Sequence, residues 1–492
     1  MSLQPIDSLR SALVANSPRL GPPMTPWRSV AVHAAVLAVW LALFAMAFSQ
    51  GGLAAWSVGG AYIAYDTALL LFVAVQTRAL LKPPAPTGPD EPAAERLSVA
   101  TIVAAHNEAA VLPATLAALF AQVDPADEIV IADDGSTDST GNLMRDRYGI
   151  VESGLGELSG PSPSQPSLRW LRLAHGGKAR ALNAAVLQVR SSVVLTVDGD
   201  TLLDPGALAA VRRAFASEPA LAGVTGVVVP RCPPTVAGRL FEWFQTYEYI
   251  RNFLSRFAWM QVDSLLLISG AFAGFRRASL VAVGGFDPDC LVEDYELIHR
   301  MRLHALRHGL SWRFRVLGNA LAHTEAPGSV AAFLRQRRRW FGGFLQTQYW
   351  YRSMVGDSRL GWLGLAMLPV KAIDTLQPLY GLTSLFLLAF YVLTGRPGVL
   401  LPVAVLVGVK VAIDIGFHLW AVFIYRRWVG PGARAGFGWA LLAALIEPFT
   451  FQFLRHGGAA LGWLSILTGR REWGAQTRFG LAPGVGGSTR AP

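Results

Sequence analysis

Cysteine and charged side chains are both scarce in this chain of 492 residues. Cys232 and Cys290 are the only cysteines, which excludes a disulfide framework and a cysteine-rich metal site and is typical of a reducing cytosol. Only 15% of the residues are charged, whereas 52% are hydrophobic. Because the hydrophobic residues collect towards the two ends, the sequence predicts membrane segments on either side of a water-exposed domain.

Two common nucleotide-binding signatures are also missing. No Walker-type run occurs, and Gly154-Leu155-Gly156 neither follows a strand pattern nor opens a helix, which excludes an NTPase loop and a dinucleotide fingerprint. The formal charge of +10 does not indicate nucleic-acid binding, because the lysines and arginines lie beside apolar stretches. That placement is typical of the cytoplasmic ends of membrane segments.

Two apolar runs near the start predict two transmembrane helices. Val30–Phe48 follows a leader with three arginines, so we expect this helix to begin on the cytoplasmic side. Leu53–Val75 then returns the chain to that side. A cleaved signal peptide is the alternative, because Ala45-Met46-Ala47 resembles a cleavage site, but the long polar leader and the immediate second run disfavour it.

Three further apolar stretches follow the polar middle of the chain, at Leu363–Val392, Val399–Tyr425 and Gly438–Leu467. The last is too short for the two crossings that the basic tail requires, so we predict a re-entrant or interfacial segment there. The predicted organisation is a cytoplasmic leader (1–28), two transmembrane helices (29–77), a linker (78–96), a cytosolic domain (97–350), transmembrane and interfacial helices (351–469) and a basic cytoplasmic tail (470–492).

Short apolar runs alternate with amphipathic segments in the middle of the chain. The predicted strands are Ser98–Ala105, Glu128–Ala132, Leu168–Leu173 and Val193–Val197, and the predicted helices are Ala109–Gln122, Thr137–Tyr148 and Ala179–Val189. This order predicts an α/β domain with a parallel sheet covered by helices. Gly154–Gln165, rich in glycine, serine and proline, is predicted to be a surface loop.

Polar residues follow each of the four predicted strands. In strand order they are Asn107 and Glu108, Asp133 and Asp134, Lys178, and Asp198 and Asp200. Ligands of open α/β sheets bind beyond the carboxyl ends of the strands, so these groups are predicted to share one site. The paired acids of the fourth strand suit a divalent cation, and a lysine at a helix start suits phosphate, which together indicate diphosphate binding. Any one of the turns taken alone is equally typical of a simple Asp-Gly turn.

Two later segments have both a functional and a structural interpretation. Glu293-Asp294 opens a predicted helix, where acids also act as ordinary solvated helix starts. The Gln336-to-Trp340 run places three arginines and a tryptophan near a membrane boundary. Arg337 and Arg338 are predicted to be membrane anchors, which leaves Gln336 without an explanation.

In order and spacing, these motifs resemble the membrane-integrated family-2 glycosyltransferases, which include cellulose synthase, hyaluronan synthase and poly-β-1,6-N-acetylglucosamine synthase. The resemblance covers Leu97 to Phe344, and the two spans before this region are most similar to the last of these branches. It implies a GT-A-type (Rossmann-like) α/β domain in the cytosol, inserted between N- and C-terminal transmembrane helices of the cell inner membrane.

The resemblance also implies a role for each matching residue. Donor binding is expected of Asn107, Glu108, Asp133, Asp134, Lys178, Asp198, Asp200, Gln336 and Arg339. Asp134 is expected to contact uracil, and Asp198 and Asp200 to bind Mg²⁺ or Mn²⁺. Acceptor binding is expected of Trp340, Ser269 and Gly270. Asp294 is expected to be the general base of a single inverting displacement, for which an ordinary carboxylate pKa of about 4 suffices.

Three features depart from the family pattern. His106 stands where many members have tyrosine, and Glu296 replaces a frequent second aspartate after the base. The segment from Trp473 to Arg478 resembles a tryptophan-arginine motif of hyaluronan synthase, with a spacing that differs by one residue.

The carboxyl-terminal apolar stretches contain polar residues that lipid would penalise. They are Lys371, Asp374, Gln377, Lys410, Asp414, His418 and Glu447. These residues suit either a saccharide channel or structural pairs between helices, and Lys410 and Asp414 have the spacing of a pair on one helix face.

The resemblance implies transfer of sugar from a UDP-sugar, with UDP-N-acetylglucosamine favoured, to a growing β-linked polysaccharide coupled to its export. The expected partners are the donor, a saccharide acceptor, the lipid bilayer and accessory export subunits, but no nucleic acid. One alternative is transfer of a single sugar to a polyprenyl-phosphate or ceramide lipid. Another is a non-enzymatic transporter with a degenerate nucleotide-binding domain.

Overall fold

The computed structural model describes residues 4–49, 53–81, 96–395, 398, 400–429, 435–469 and 480. Its strands are β1 (Val99–Ala105), β2 (Glu128–Asp134), β3 (Leu168–Leu173), β4 (Val193–Asp198), β5 (Thr201–Leu203), β6 (Leu221–Arg231), β7 (Phe272–Arg276) and β8 (Arg313–Glu325). Its helices up to the end of the α/β domain are α1 (Gln4–Asn16), α2 (Trp27–Ser49), α3 (Leu53–Gln76), α4 (Leu112–Phe120), α5 (Thr140–Asn142), α6 (Lys178–Gln188), α7 (Ala207–Ser217), α8 (Val236–Gln261), α9 (Arg277–Ala282), α10 (Glu293–His308) and α11 (Val330–Trp350). The helices that follow are α12 (Leu368–Leu393), α13 (Leu400–Val429), α14 (Phe437–Ile446) and α15 (Phe451–Leu467).

The sheet is mixed, with the strand order β3-β2-β1-β4-β7-β6-β8-β5. Strands β1 to β4 are parallel to one another, as predicted. The sheet as a whole is mixed because it contains strands beyond those four, with β7 antiparallel to both β4 and β6, and β5 antiparallel to β8. The carboxyl ends of the four parallel strands therefore lie side by side, and the antiparallel strands extend the sheet beyond them.

Both faces of the central parallel strands β1 and β4 are buried, which explains why these two strands are almost continuously apolar. In β1, Val99 and Val103 pack with α4 and α7 on one face. Ala100 and Ile102 pack on the other face with α6, α8 and α10. The sheet is thus a middle layer with helices on each side.

The predicted elements of the domain agree with the structure to within a few residues, and Gly154–Gln165 contains no helix. An unpredicted element is α1, which lies within the leader. Its Leu9 and Leu13 are buried, so this part of the leader packs on the domain.

Among the described residues, four helical segments are long and apolar enough to span a membrane. They are Trp27–Met46, Gly60–Leu81, Leu363–Leu393 and Val403–Val429. Helices α14 and α15 meet at a bend of 51°, which is the geometry of a broken span or a re-entrant loop. The bend lies in the stretch for which the sequence predicts a re-entrant or interfacial segment.

Helix α15 packs closely along α11 because two of its glycines, one turn apart, face that helix. A Cβ on Gly458 would lie 2.4 Å from the Cβ of Arg337, and a Cβ on Gly462 would lie 2.8 Å from the Cβ of Phe341. Side chains at these positions would force the helices apart. The carboxyl-terminal apolar helices are therefore joined directly to the helix that carries the Gln336-to-Trp340 run.

Candidate active site

The turn after β1 is held by the side chain of Asn107. Asn107 has a positive φ of 57°, and its side-chain oxygen accepts hydrogen bonds from the backbone N–H groups of Thr137 and Asp138 at 2.7 and 3.1 Å. Glu108 is buried, and a Cβ on Gly199 would lie 3.3 Å from its Cγ. Asn107 thus joins the turns after β1 and β2, and Glu108 supports the turn after β4.

The two acids that end β2 have different partners. Asp133 accepts from the indole N–H of Trp170 at 3.1 Å and the backbone N–H of Ser136 at 2.9 Å. Asp134 accepts from the backbone N–H groups of Gly176 and Gly177 at 2.7 and 2.8 Å. Asp133 therefore fixes the β2 turn, whereas Asp134 holds the glycine turn that leads into α6.

Two histidines stand beside Asp134. The rings of His106 and His175 stack with centroids 4.4 Å apart, and each Nδ1 lies within hydrogen-bond distance of the Asp134 carbonyl oxygen. His106, the residue that departs from tyrosine, is thus one half of an imidazole stack at the strand ends.

Lys178, the first residue of α6, lies between acids from two different elements. Its Nζ is 2.5 Å from Oδ1 of Asp198 and 3.5 Å from Oε1 of Glu293. Burial by itself would lower the pKa of Lys178, but Asp198, Glu293 and Asp294 together raise it above its usual value. The lysine is therefore a fixed cation that links the end of β4 to the start of α10.

The acids around Gly199 offer oxygen ligands of two kinds. Asp198 is 30% exposed at its side chain, whereas Asp200 is buried and accepts from the hydroxyl of Thr324 at 3.3 Å. Carboxylate oxygens two residues apart, one of them open to solvent, match the preference of Mg²⁺ and Mn²⁺ for oxygen donors. These residues fit a divalent cation.

Asp294 lies at the start of α10, where Gly270 reaches its carboxylate. The backbone N–H of Gly270 donates to Oδ2 at 2.6 Å, and a Cβ on Gly270 would lie 2.9 Å from that oxygen. Burial, together with the neighbouring Glu293 carboxylate, raises the pKa of Asp294 to about 6, although Lys178 acts in the opposite direction. The pKa of this carboxyl therefore lies above the ordinary value that would suffice for a base. The interpretation as a solvated helix start is wrong, because Glu293 and Glu296 are buried.

Two neighbours of this carboxylate have structural roles. The backbone N–H of Ser269 donates to the hydroxyl of Thr225 at 3.2 Å, which fixes the segment that carries Gly270. Glu296, the second departure, forms a fully buried ion pair with Arg300 at 2.6 Å and accepts from the Tyr351 hydroxyl. Glu296 thus ties α10 to the end of α11.

The prediction that Arg337 anchors the chain to lipid headgroups is wrong. Its side chain is 7% exposed, its Nη2 lies 2.7 Å from Oε2 of Glu248 on α8, and its guanidinium lies over the rings of Phe333 and Trp340. The side-chain oxygen of Gln336 is buried without a hydrogen-bond partner among the described residues. An unpaired amide oxygen of this kind is free to accept from a ligand.

Trp340 borders a cavity of about 380 Å³ that also reaches Tyr295, the residue after Asp294, and Arg256 on α8. Burial lowers the pKa of Arg256 to about 10, while nearby Asp294 acts to raise it. Sequence reasoning missed Arg256, because it lies within a long helix and belongs to no motif. The sequence could have identified Glu293, because it directly precedes Asp294.

A second cavity of about 460 Å³ adjoins the first within the apolar helices. The two cavities share Asp374, Gln377, Gln452, Arg455 and His456. Lys410 pairs with Asp414, as its spacing predicts, and also with Asp66 at 2.9 Å. Polar residues of the apolar helices therefore form ion pairs and line a cavity at the same time.

The candidate residues thus fall into two groups. The strand-end edge comprises the turns after β1 to β4 with Asp134, Lys178, Asp198 and Asp200. The helical wall comprises α8, α11 and the first cavity. Asp294 and Gly270 lie where the two groups meet, because Asp294 faces Lys178 and precedes the cavity residue Tyr295. The Trp473-to-Arg478 segment lies outside the described residues.

The sheet and the site define a glycosyltransferase with a GT-A-like fold, flanked on both sides by helices capable of spanning a membrane. Residues 100–284 match the model of Glycosyl transferase family 2, and residues 193–409 match that of Glycosyl transferase family group 2. The chain therefore carries family-2 glycosyltransferase domains, which favours an enzyme over a non-enzymatic transporter.

Several curated proteins are similar to this chain. The poly-β-1,6-N-acetyl-D-glucosamine synthase of Staphylococcus epidermidis is 27% identical over 247 residues, which are 50% of this chain and 54% of the relative. The synthase of Staphylococcus aureus (strain COL) is 27% identical over 258 residues, 52% of this chain and 56% of the relative. The chain spans about half the length of the curated relatives it matches.

A solved structure of a mannosyltransferase from Pyrobaculum calidifontis, in complex with GDP-Man and Mn²⁺, is also similar. The alignment has a TM-score of 0.46 and 19% identity, and it covers 85% of this chain and 99% of that chain.

Proposed function

We propose that this protein is an inverting, metal-dependent glycosyltransferase that transfers sugar from a UDP-sugar to a growing β-linked polysaccharide. The observation that carries the proposal is the position of Asp294, which lies between the Lys178 ion-pair cluster and a cavity that continues into the apolar helices. A base in this position faces a donor on one side and an acceptor on the other.

The strand-end edge is the proposed donor site. Asp134 would accept from the base of the nucleotide, and Lys178 would exchange its contact with Asp198 for the donor diphosphate. Asp198 and Asp200 would hold Mg²⁺ or Mn²⁺, because they supply the oxygen ligands that these ions prefer. A divalent cation, when bound, neutralises the charge that develops on the leaving diphosphate. Asn107, Glu108 and Asp133 are proposed to support this site through the turns that they hold.

Asp294 is the proposed general base. Its carboxylate would take the proton of an acceptor hydroxyl while that oxygen bonds to the anomeric carbon, and the bond from this carbon to the diphosphate oxygen would break. The displacement inverts the anomeric carbon and gives a β-linkage. The N–H of Gly270 would keep Oδ2 oriented during this step, since it already donates to that atom at 2.6 Å.

The helical wall is the proposed acceptor site. Trp340 offers an aromatic face to the acceptor beside the cavity. Gln336, whose amide oxygen has no described partner, is proposed to contact the donor from the same helix. Arg339, half-buried on the same helix, is proposed to approach the diphosphate. Because the two cavities share five residues, a product chain would pass from the base towards the other side of the membrane.

The donor is proposed to be UDP-N-acetylglucosamine, because the similar synthases of known name make poly-β-1,6-N-acetyl-D-glucosamine. The α/β domain is proposed to face the cytoplasm of a cell whose inner membrane holds the apolar helices. The basic residues Arg426 and Arg427, at the end of α13, support this orientation. Accessory subunits that complete export are part of the same proposal.

Product length tests this function. Purified protein in lipid nanodiscs is incubated with radiolabelled UDP-N-acetylglucosamine and Mg²⁺ or Mn²⁺, and the products are separated by size and by extraction into organic solvent. A ladder of saccharides supports the proposal. A single lipid-soluble product would instead establish transfer to a lipid, and a panel of other UDP-sugars identifies the donor.

A further inference from the structure

The amino-terminal leader packs against the back of the proposed active site. Helix α1 contacts α6, α9 and α10, and Leu9, Leu13 and Asn16 are buried there. The family matches begin only at residue 100, so the known family domain does not include this contact.

The contact is centred on the loop 283–290, which joins α9 to the segment that carries Asp294. Gly284 and Gly285 have positive φ angles of 90° and 67°. A Cβ on Gly284 would lie 2.2 Å from the backbone nitrogen of Leu13, and one on Gly285 would lie 3.2 Å from Cδ2 of Leu9. The leader and the loop thus approach each other so closely that their positions are set together.

An ion pair fixes the same loop. Arg19 donates from Nε and Nη2 to the two carboxylate oxygens of Asp287, each at 2.9 Å. The side chain of Asp287 is 0% exposed, and that of Arg19 is 21% exposed. Removal of the guanidinium would leave a buried charge without this cation, which is strongly unfavourable, so the loop would have to move.

The loop is held on its other side by the helix that begins with Lys178. Asn183 on α6 donates to the carbonyl oxygen of Phe286 and accepts from its N–H, both at 2.8 Å. The loop therefore lies between the leader and α6. A shift of the loop would move Asp294 relative to Lys178, because the loop leads directly into α10.

We propose that the leader segment 9–19 is a positioning element, which holds the loop 283–290 through Arg19 and thereby sets the place of the base Asp294 for transfer. This inference rests on the proposed role of Asp294. Arg19 contacts neither donor nor acceptor, so it acts through the loop. Since the same leader continues into the first membrane helix α2, it also connects that helix to the site.

The test compares Arg19→Ala with Arg19→Lys in the full-length protein in nanodiscs. Misplacement of a catalytic group by about 1 Å costs up to about 100-fold in rate, so we expect Arg19→Ala to lower kcat about tenfold. The dissociation constant for UDP, measured by calorimetry, should change less than about twofold, because the strand-end edge is untouched. Arg19→Lys keeps one cationic donor and should recover part of the rate. Arg10→Ala is the matched control, because Arg10 is exposed on α1.

A second pair of variants separates positioning from general instability. Adding Asp287→Asn to Arg19→Ala removes the buried charge, so the double variant should be no slower than Arg19→Ala alone. Leu13→Ala should lower kcat in the same direction by a smaller factor. Binding of UDP by each variant shows that its donor site is folded.

Three results would overturn the inference. They are an unchanged kcat in Arg19→Ala, a loss of UDP binding equal to the loss of kcat, and a further large loss on adding Asp287→Asn. The proposed function fails separately, if Asp294→Asn retains full transfer. An inactive Asp294→Asn beside a fully active Arg19→Ala therefore rejects the positioning role alone.

Discussion

The strand-end edge and the helical wall are built by different means. The edge is formed by turns in which carboxylates accept from backbone N–H groups, as when Asp134 binds those of Gly176 and Gly177. The wall is held by side-chain ion pairs between distant helices, as when Arg337 meets Glu248. The backbone therefore fixes the strand-end edge. The geometry of the helical wall depends instead on ion pairs between side chains of helices that are distant in sequence.

This difference suits the two proposed substrates. The nucleoside diphosphate would bind in the same way in every transfer, and a rigid edge lined by backbone groups is pre-organised for it. A saccharide chain moves through its site after each transfer, and cavities lined by amides, aromatic rings and paired charges offer many alternative contacts. Asp294 lies at the junction, so changes there should separate chemistry from binding.

The largest expected effect is that of Asp294→Asn, which removes the carboxylate of the proposed base while keeping the shape of the side chain. A general base contributes about 100- to 10,000-fold, so transfer should fall by about 1,000-fold. UDP binding should persist, because Asp294 belongs to the junction and not to the strand-end edge. Single-turnover rates and calorimetry with UDP measure the two quantities. Asp146→Asn, at an exposed aspartate, is the control and should be fully active.

Gly270→Ala should have the next largest effect. The added Cβ would lie 2.9 Å from Oδ2 of Asp294 and displace the carboxylate, so kcat should fall roughly 10- to 100-fold. Gly206→Ala is the matched control, because a Cβ on Gly206 would meet no atom within 4 Å. Equal rates for both variants and the unchanged protein would show that Asp294 need not be placed precisely.

Asp200→Ala should weaken metal-dependent donor binding at the strand-end edge and leave the helical wall unchanged. The loss of one oxygen ligand should reduce Mg²⁺- or Mn²⁺-dependent UDP affinity on the order of 10- to 100-fold, while metal-free UDP binding should change little. Calorimetric titrations with and without the metal compare these values. If both affinities fell by the same factor, Asp200 would be a structural residue and the metal would bind elsewhere.

Much of the strand-end edge could be predicted from the sequence, because its determinants are local. Apolar runs of strand length end in polar turns, and parallel strands necessarily bring such turns to one side of a sheet. The raised pKa of Asp294 could not be predicted from the sequence. The reason is that burial and the contact with Gly270 arise only after folding.

The helical wall could not be predicted in the same way. Arg251 and Glu447 are separated by 196 residues and form a bidentate pair, but no periodicity in the sequence indicates which distant charges meet. Helix α1 could not be predicted for a similar reason, because Leu9 and Leu13 are recognisable as packing residues only beside Gly285 and Gly284, which are distant in sequence. The partner of Arg337 could not be predicted, because a juxtamembrane arginine has the same local sequence pattern whether it faces lipid or Glu248.

The pH dependence of transfer should reflect the titration of Asp294, which lies where the strand-end edge meets the helical wall. The pKa of Asp294 is raised to about 6, and a base acts only when deprotonated, so kcat/KM should be constant above this pH and fall as the pH drops through it. Below about pH 6 the loss should approach about tenfold per pH unit. Rates from pH 4.5 to 8, with UDP affinity measured in parallel, provide the test. A rate that stayed constant down to pH 4.5 would mean that the base keeps an ordinary pKa.

The smallest expected effect on transfer belongs to the helical wall, where Arg337 and Glu248 can be replaced together. Arg337→Leu alone leaves Glu248 buried without this cation and should cost about 3 to 5 kcal/mol in the free energy of unfolding. Adding Glu248→Leu should recover most of that stability, since paired buried charges contribute little net stability. Thermal unfolding of the single and double variants measures the recovery, and kcat of the double variant should stay within about threefold of the unchanged protein. If Arg337 were instead a lipid anchor, adding Glu248→Leu would recover nothing, and the contrast between a backbone-built edge and a charge-built wall would fail.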